Sequence, residues 1–216
     1  MKAVLLLTFS FLFASLTNLP LAFSKYDAEP VFDLSGKPLY FGQQYYIRGK
    51  DDGVVGVDKI ESGLPVTVFN FGSGLSVKFN GSNPFIIYTA LCLHVIYVAL
   101  DTPLNIEFTL KPKNAENSWW SVFKDDKINN LYVGIRAIGD HPILIGKFRI
   151  QKYRSQPYNS YKLVFCPEYR SYLEYRSPPI DIGTHDIEGR RRLVLTEDEP
   201  FQILFENVAD ANIKSV

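Results

Sequence analysis

The sequence predicts an all-β fold, a sandwich or a barrel of many short strands. Three observations carry this. Apolar and polar residues alternate with period two through most of the chain. Tyr (13) and Phe (16) are abundant while Met occurs once, a composition that suits pleated, half-buried surfaces. Turn pairs recur between the apolar runs: Ser35-Gly36, Asp52-Gly53, Gly81-Ser82 and Gly139-Asp140. No long apolar stripe at helical spacing with capping residues interrupts them.

The elements follow in chain order. The first two dozen residues read as a signal peptide, residues 1–24. Lys2 supplies the positive start, Ala3 to Leu16 is largely apolar, and Ala22-Phe23-Ser24 sets small residues three and one positions before Lys25. Residues 25–208 then form one domain, long enough to bury a sizeable core. The expected strands are Tyr45–Ile47, Leu64–Phe69, Leu104–Phe108, Trp120–Val122, Lys147–Ile150, Tyr161–Phe165, Leu193–Leu195 and Phe201–Phe205. Residues 209–216 lose the alternation and are expected to fray.

Two segments depart from the pattern. Between Pro84 and Asp101 run sixteen residues with no Lys, Arg, Asp or Glu and one histidine, His94. A bilayer span needs about 20 apolar residues, so no membrane span is expected. The β-branched and aromatic content (Ile86, Ile87, Tyr88, Val95, Ile96, Tyr97, Val98) reads as one long buried strand or two joined ones. The second segment, Glu168 to Pro179, alternates charges with tyrosines and ends in a double proline. It reads as an exposed loop whose side chains lie along a barrel rim.

Charge and motifs exclude several functions. Lys and Arg number 23 and Asp and Glu number 23, so no polyanion or nucleic-acid partner is expected. Arg190-Arg191-Arg192 is the one basic run and reads as a solvated strand start. The chain has no Gly-x-Ser-x-Gly elbow, no His-Glu-x-x-His, no phosphate-cradling loop and no Cys-x-x-Cys. His94, His141 and His185 are scattered, so no catalytic residue, metal site or cofactor is nominated. Asn80-Gly81-Ser82 is an N-glycosylation sequon. Cys92 and Cys166 are the two cysteines; one disulfide or two free thiols both remain open.

Val31-Phe32-Asp33-Leu34-Ser35-Gly36-Lys37-Pro38-Leu39, followed by Tyr45-Tyr46-Ile47, resembles the opening signature of the plant Kunitz, or soybean-trypsin-inhibitor-like, family. Further matches fall in order: Glu61 to Val66, Pro103-Leu104-Asn105-Ile106, Trp120-Ser121-Val122, Tyr161-Lys162-Leu163-Val164-Phe165-Cys166-Pro167, Gly189 to Leu195, and Pro200 to Phe205. The resemblance implies a β-trefoil, a twelve-strand pseudo-threefold barrel. It implies a secreted or vacuolar monomer that inhibits a protease, a serine endopeptidase first of all, through a rigid exposed loop. The alternative on the same fold is a non-inhibitory binding or storage protein.

Carried over by spacing from Gly63-Leu64-Pro65, the protease-binding loop comprises Phe71, Gly72, Ser73, Gly74, Leu75 and Lys78. Its glycines predict a flexible segment. No arginine lies between Phe69 and Asp101 and Lys78 is the one Lys there, which predicts weak or altered action on trypsin. Phe41 stands where the family uses an asparagine to brace its loop. Cys166 matches a family cysteine without its usual partner, and Cys92 matches none, which argues against a Cys92–Cys166 bond. Residues 79–100 then read as an apolar insertion beside the loop.

Overall fold

The computed structural model describes residues 29–51, 53–59, 65–70, 74–81, 97–113, 115–125, 130–137, 143–154, 159–168, 178–187 and 189–214. Alternation builds the strands as expected. They are β1 (Gln44–Gly49), β2 (Val54–Lys59), β3 (Pro65–Asn70), β4 (Val77–Gly81), β5 (Leu104–Phe108), β6 (Ala115–Asp125), β7 (Asn130–Ala137), β8 (Ile143–Leu144), β9 (Gly146–Lys152), β10 (Tyr161–Pro167), β11 (Ile180–Ile187), β12 (Arg190–Thr196) and β13 (Ile203–Asn207). In β5, Leu104, Ile106 and Phe108 are buried while Asn105 and Glu107 face outward.

Pairing closes β1, β4, β5, β9, β10 and β13 into a ring in which each strand is antiparallel to the next. A closed ring leaves no free sheet edge. The hairpins β2–β3, β6–β7 and β11–β12 extend from it. Their strands meet one another through β12–β3, β12–β7 and β3–β7 pairs, which form a triangular cap. A six-strand barrel with a three-hairpin cap is the β-trefoil the resemblance implied. One addition stands outside the twelve-strand scheme: the two-residue β8 pairs with β6 at Val122↔Leu144.

The barrel is filled with aromatic rings. Phe79 meets Phe205 edge-on at 5.5 Å between ring centroids, and Tyr161 lies 5.6 Å from Phe205. Under the cap, Trp120 stands 5.4 Å from Phe108 and 6.0 Å from Phe148. Three short bridges, Pro30↔Ala99, Phe32↔Pro38 and Tyr40↔Tyr97, add a further layer. They bring Val31, Leu39 and Val98 into the core, all fully buried.

Three sequence expectations change here. The chain end does not fray at residue 209: Val208–Lys214 form a short helix, α1. Asn207 caps it, its Oδ1 accepting from the Ala209 amide at 2.9 Å. Asp210 in its first turn accepts from the Ser35 hydroxyl at 3.0 Å and pairs with Lys37 at 3.2 Å, which ties the last element to the first turn. Nor is the arginine run wholly solvated. Arg191 pairs with Asp186 and Asp51, and Arg192 is buried at 3% exposure, because β12 is the cap strand that joins all three hairpins. Lastly, both ends of the stretch read as an insertion belong to the barrel. Residues 79–81 are β4, and residues 97–99 bridge to the N-terminal segment. Between them, residues 82–96 lie outside the described residues.

The N-terminal turn holds a buried polar cluster. Asp33 Oδ1 accepts from the amides of Ser35 (2.8 Å) and Lys37 (2.9 Å). The Tyr45 hydroxyl accepts from the Tyr40 amide at 2.9 Å and donates to Gln43 Oε1 at 3.0 Å. Burial, with repulsion from Asp33 added, pushes the Tyr45 phenol up to about 12 against the stabilising Tyr40 amide bond. Burial likewise raises Tyr161, whose hydroxyl accepts from the Phe32 amide.

Because the folded phenol of Tyr45 is raised above its unfolded value near 10, its contribution is fully present below about pH 10. It is lost as pH rises towards about 12. The expected loss is about 3 kcal/mol at 1.36 kcal/mol per unit. Urea denaturation at pH 8, 10 and 11.5 checks this. Tyr45→Phe is expected to be less stable at pH 8, since the Tyr40 amide loses its acceptor, and to fall less steeply above pH 10. An equal slope in both proteins would remove Tyr45 as the cause.

Candidate functional site

The predicted loop is described from Gly74 onward; Phe71, Gly72 and Ser73 lie outside the described residues. What is described is barrel wall. A Cβ placed on Gly74 would come within 2.1 Å of Val54 Cγ1, 2.5 Å of Val54 Cβ and 2.9 Å of the Val55 carbonyl oxygen. Gly74 is therefore required for close packing on β2, which corrects the expectation of a flexible glycine there. The next residue, Leu75, donates its amide to the Val55 carbonyl at 3.1 Å and packs against the core. Ser76 bonds Thr109 twice, hydroxyl to hydroxyl at 2.7 Å and amide of Thr109 to carbonyl of Ser76 at 2.9 Å. Lys78 sits in the middle of β4, registered between Gln44 of β1 and Glu107 of β5. Its ammonium springs from the side of the barrel and not from a turn.

A different place on the barrel has the form of a loop base. The turn Tyr40–Gln43 is made by Gly42, whose φ of 78° a side chain would strain. Its amide donates to the Phe79 carbonyl at 3.2 Å. The ring of Phe41 packs against Gly81, with Cζ 3.1 Å and Cε1 3.2 Å from where a Cβ would sit. On the other side, Tyr40 bridges Tyr97 and the Val98 amide donates to the Leu39 carbonyl at 2.7 Å. One turn thus holds both the point where the chain leaves β4, Gly81, and the point where it returns, Tyr97. Tyr45 and Asn207 brace that turn from below through Gln43 Oε1, at 3.0 and 3.4 Å. Where the resemblance implied a hydrogen-bonding asparagine, Phe41 supplies steric support. The sequence hid this base because its parts lie forty to sixty residues apart and meet only when the ring closes.

The remaining candidates fall elsewhere. Asn80 is on β4, opposite Asn105. Cys166 is a free, half-buried thiol on β10. Burial pushes it above the ordinary cysteine value although nearby Arg149 opposes this, so it is a poor nucleophile. Cys92, His94 and His141 lie outside the described residues. His185 is exposed on β11. Among the described residues no three His, Cys, Asp or Glu side chains stand close enough to hold a metal ion, and no helix is long and apolar enough to cross a membrane.

Residues 31–207 match the sequence model of the Kunitz legume family, described as trypsin and protease inhibitor. The chain belongs to this Kunitz family. The matched span ends at Asn207, so helix α1 lies beyond it. Among curated proteins, the chain is 40% identical over 236 aligned positions to a Kunitz-type trypsin inhibitor-like 2 protein of Pisum sativum, covering 100% of both. It is 39% identical to the subtilisin inhibitor CLSI-II of Canavalia lineata, covering 88% of this chain and 98% of that one. Among solved structures, MP-4 of Mucuna pruriens superposes with a TM-score of 0.70 at 37% identity, over 84% of this chain and 99% of MP-4. The β-trefoil and the family assignment thus agree across ring topology, sequence and superposition.

Proposed function

We propose that this Kunitz chain is a secreted inhibitor of serine endopeptidases that acts on enzymes with apolar specificity pockets, of the subtilisin kind, in preference to trypsin. The observation that carries the reading is the 39% identity, over nearly all of both chains, to a protein named as a subtilisin inhibitor. The charge pattern agrees: no arginine lies between Phe69 and Asp101, and Lys78, the one Lys there, is fixed in a strand.

A substrate-like inhibitor must hold an extended segment at both ends so that little entropy is lost on docking. The base formed by Tyr40, Phe41, Gly81 and Tyr97 provides two such anchor points. Residues 82–96, which join these two points in the chain, lie outside the described residues. On this reading the enzyme is met by what that base carries.

The test is a titration of the purified chain from Lys25 onward against subtilisin, chymotrypsin and trypsin with small chromogenic substrates. Prolonged incubation and intact mass then locate any slow cut. Inhibition of subtilisin with a single slow cut between Gly81 and Tyr97 is the expected result. A cut between Asn70 and Lys78 would return the contact to the β3–β4 connection. No inhibition of any enzyme at micromolar concentration would leave the family and fold and remove the inhibitor reading in favour of a binding or storage protein.

A further inference from the structure

We propose that Asn80 carries an N-linked glycan on the outer face of the barrel; this rests on the reading that the chain passes through the secretory pathway. Asn80-Gly81-Ser82 is the one Asn-x-Ser/Thr triplet in the sequence. A triplet alone says little, since many stand where a sugar cannot be accommodated. The structure adds three observations.

First, Asn80 points out of the barrel. Its neighbours on β4, Val77 and Phe79, are fully buried, and strand side chains alternate between faces. Second, its carboxamide has no hydrogen-bond partner among the described residues. The facing amide does: Asn105, opposite it in register, accepts from Lys147 Nζ at 3.0 Å. The outward row Asn80, Asn105 and Lys147 is polar, so a first sugar would rest on donors and acceptors and not on apolar surface. Third, the middle residue of the triplet is kept small by the fold. A Cβ on Gly81 would stand 3.1 and 3.2 Å from the Phe41 ring carbons, so any side chain there would have to displace the ring, and a small residue keeps the acceptor's surroundings open.

The transfer is a substitution at an anomeric carbon. The donor is a lipid-diphosphate-linked oligosaccharide. The Asn80 Nδ2 forms the new bond to the sugar C1, the C1–oxygen bond breaks, the lipid diphosphate leaves with the electron pair, and Nδ2 gives up one proton. The folded barrel then displays the product without disturbing a ring strand, because the inward face of β4 is untouched.

The experiment is expression of the full chain in a eukaryotic secretory host, followed by intact mass and peptide mapping with and without a peptide:N-glycosidase. Secreted wild-type chain is expected to carry an oligosaccharide mass, and after release residue 80 is expected to read as aspartate. Ser82→Ala is expected to be secreted at the bare polypeptide mass with an unchanged melting temperature, since it leaves Asn80 and β4 intact. Secreted wild-type chain at the bare polypeptide mass overturns the glycan while leaving the secretory reading in place. A chain retained in the cytosol, and left accessible to added protease when translated with microsomes, overturns both.

Discussion

Phe205→Ala is expected to lower the unfolding free energy by about 3–5 kcal/mol, the range for removing a buried phenylalanine. Phe205 is fully buried on β13, the strand that closes the ring between β10 and β1. Its ring joins β4 to β10, edge-on to Phe79 and tilted against Tyr161. Its carbonyl also accepts from the Leu34 amide at 2.8 Å, which fastens the N-terminal turn. Removing the ring leaves a cavity walled by β-strands, which cannot collapse without breaking ring hydrogen bonds. The loss should therefore fall in the upper part of the range. Phe201, only partly buried at the edge of the same core, is the comparison: Phe201→Ala should lose less than half as much. Urea denaturation of both variants at pH 8 checks the pair. Equal losses would mean that ring closure gives Phe205 no special weight.

The strands were legible because their signal is local. Leu104–Phe108 alternates over the length of a strand, Tyr45–Ile47, Tyr161–Phe165 and Leu193–Leu195 are short apolar or aromatic-rich runs between polar residues, and each is part of a strand. β4 shows the same alternation in Val77-Lys78-Phe79-Asn80, yet spacing carried over from Gly63-Leu64-Pro65 placed Lys78 in a loop. The local pattern was the better guide. Gly74 misled for a related reason. A glycine in isolation signals freedom, whereas here it marks the point where the chain lies too close to Val54 for any side chain.

What the sequence withheld was long-range. The ring closes by pairing β1 with β13 and β10 with β13, contacts for which no short motif exists. The loop base needs the same closure before Phe41 can meet Gly81. Arg192 read as solvated because three adjacent arginines look alike in one dimension; the cap pairs β12 on both sides and turns one of them inward. Helix α1 escaped notice because seven residues are too few to show a helical period.

Against trypsin the chain is expected to bind at least about 100-fold more weakly than against subtilisin, a difference of about 2.8 kcal/mol at 1.4 kcal/mol per tenfold. The carboxylate at the floor of trypsin's specificity pocket sets this difference. An inhibitor that fills this pocket with an apolar side chain buries that carboxylate without a partner, and leaving a buried charge unpaired costs about 2–5 kcal/mol. An apolar pocket carries no such penalty. Lys78 is the one residue between Phe69 and Asp101 able to supply an ammonium at neutral pH. It could relieve the penalty only by leaving a strand held on both sides, by Gln44 and by Glu107. Lys78→Met separates the two possibilities. If Lys78 is wall, the variant keeps its inhibition of both enzymes within about two-fold, as expected of a surface substitution within about 0.5 kcal/mol. If Lys78 enters the trypsin pocket, the same substitution abolishes trypsin inhibition and spares subtilisin. Measured inhibition constants for wild type and Lys78→Met against both enzymes decide between a strand lysine and a contact lysine, because only the contact lysine makes the two enzymes respond differently.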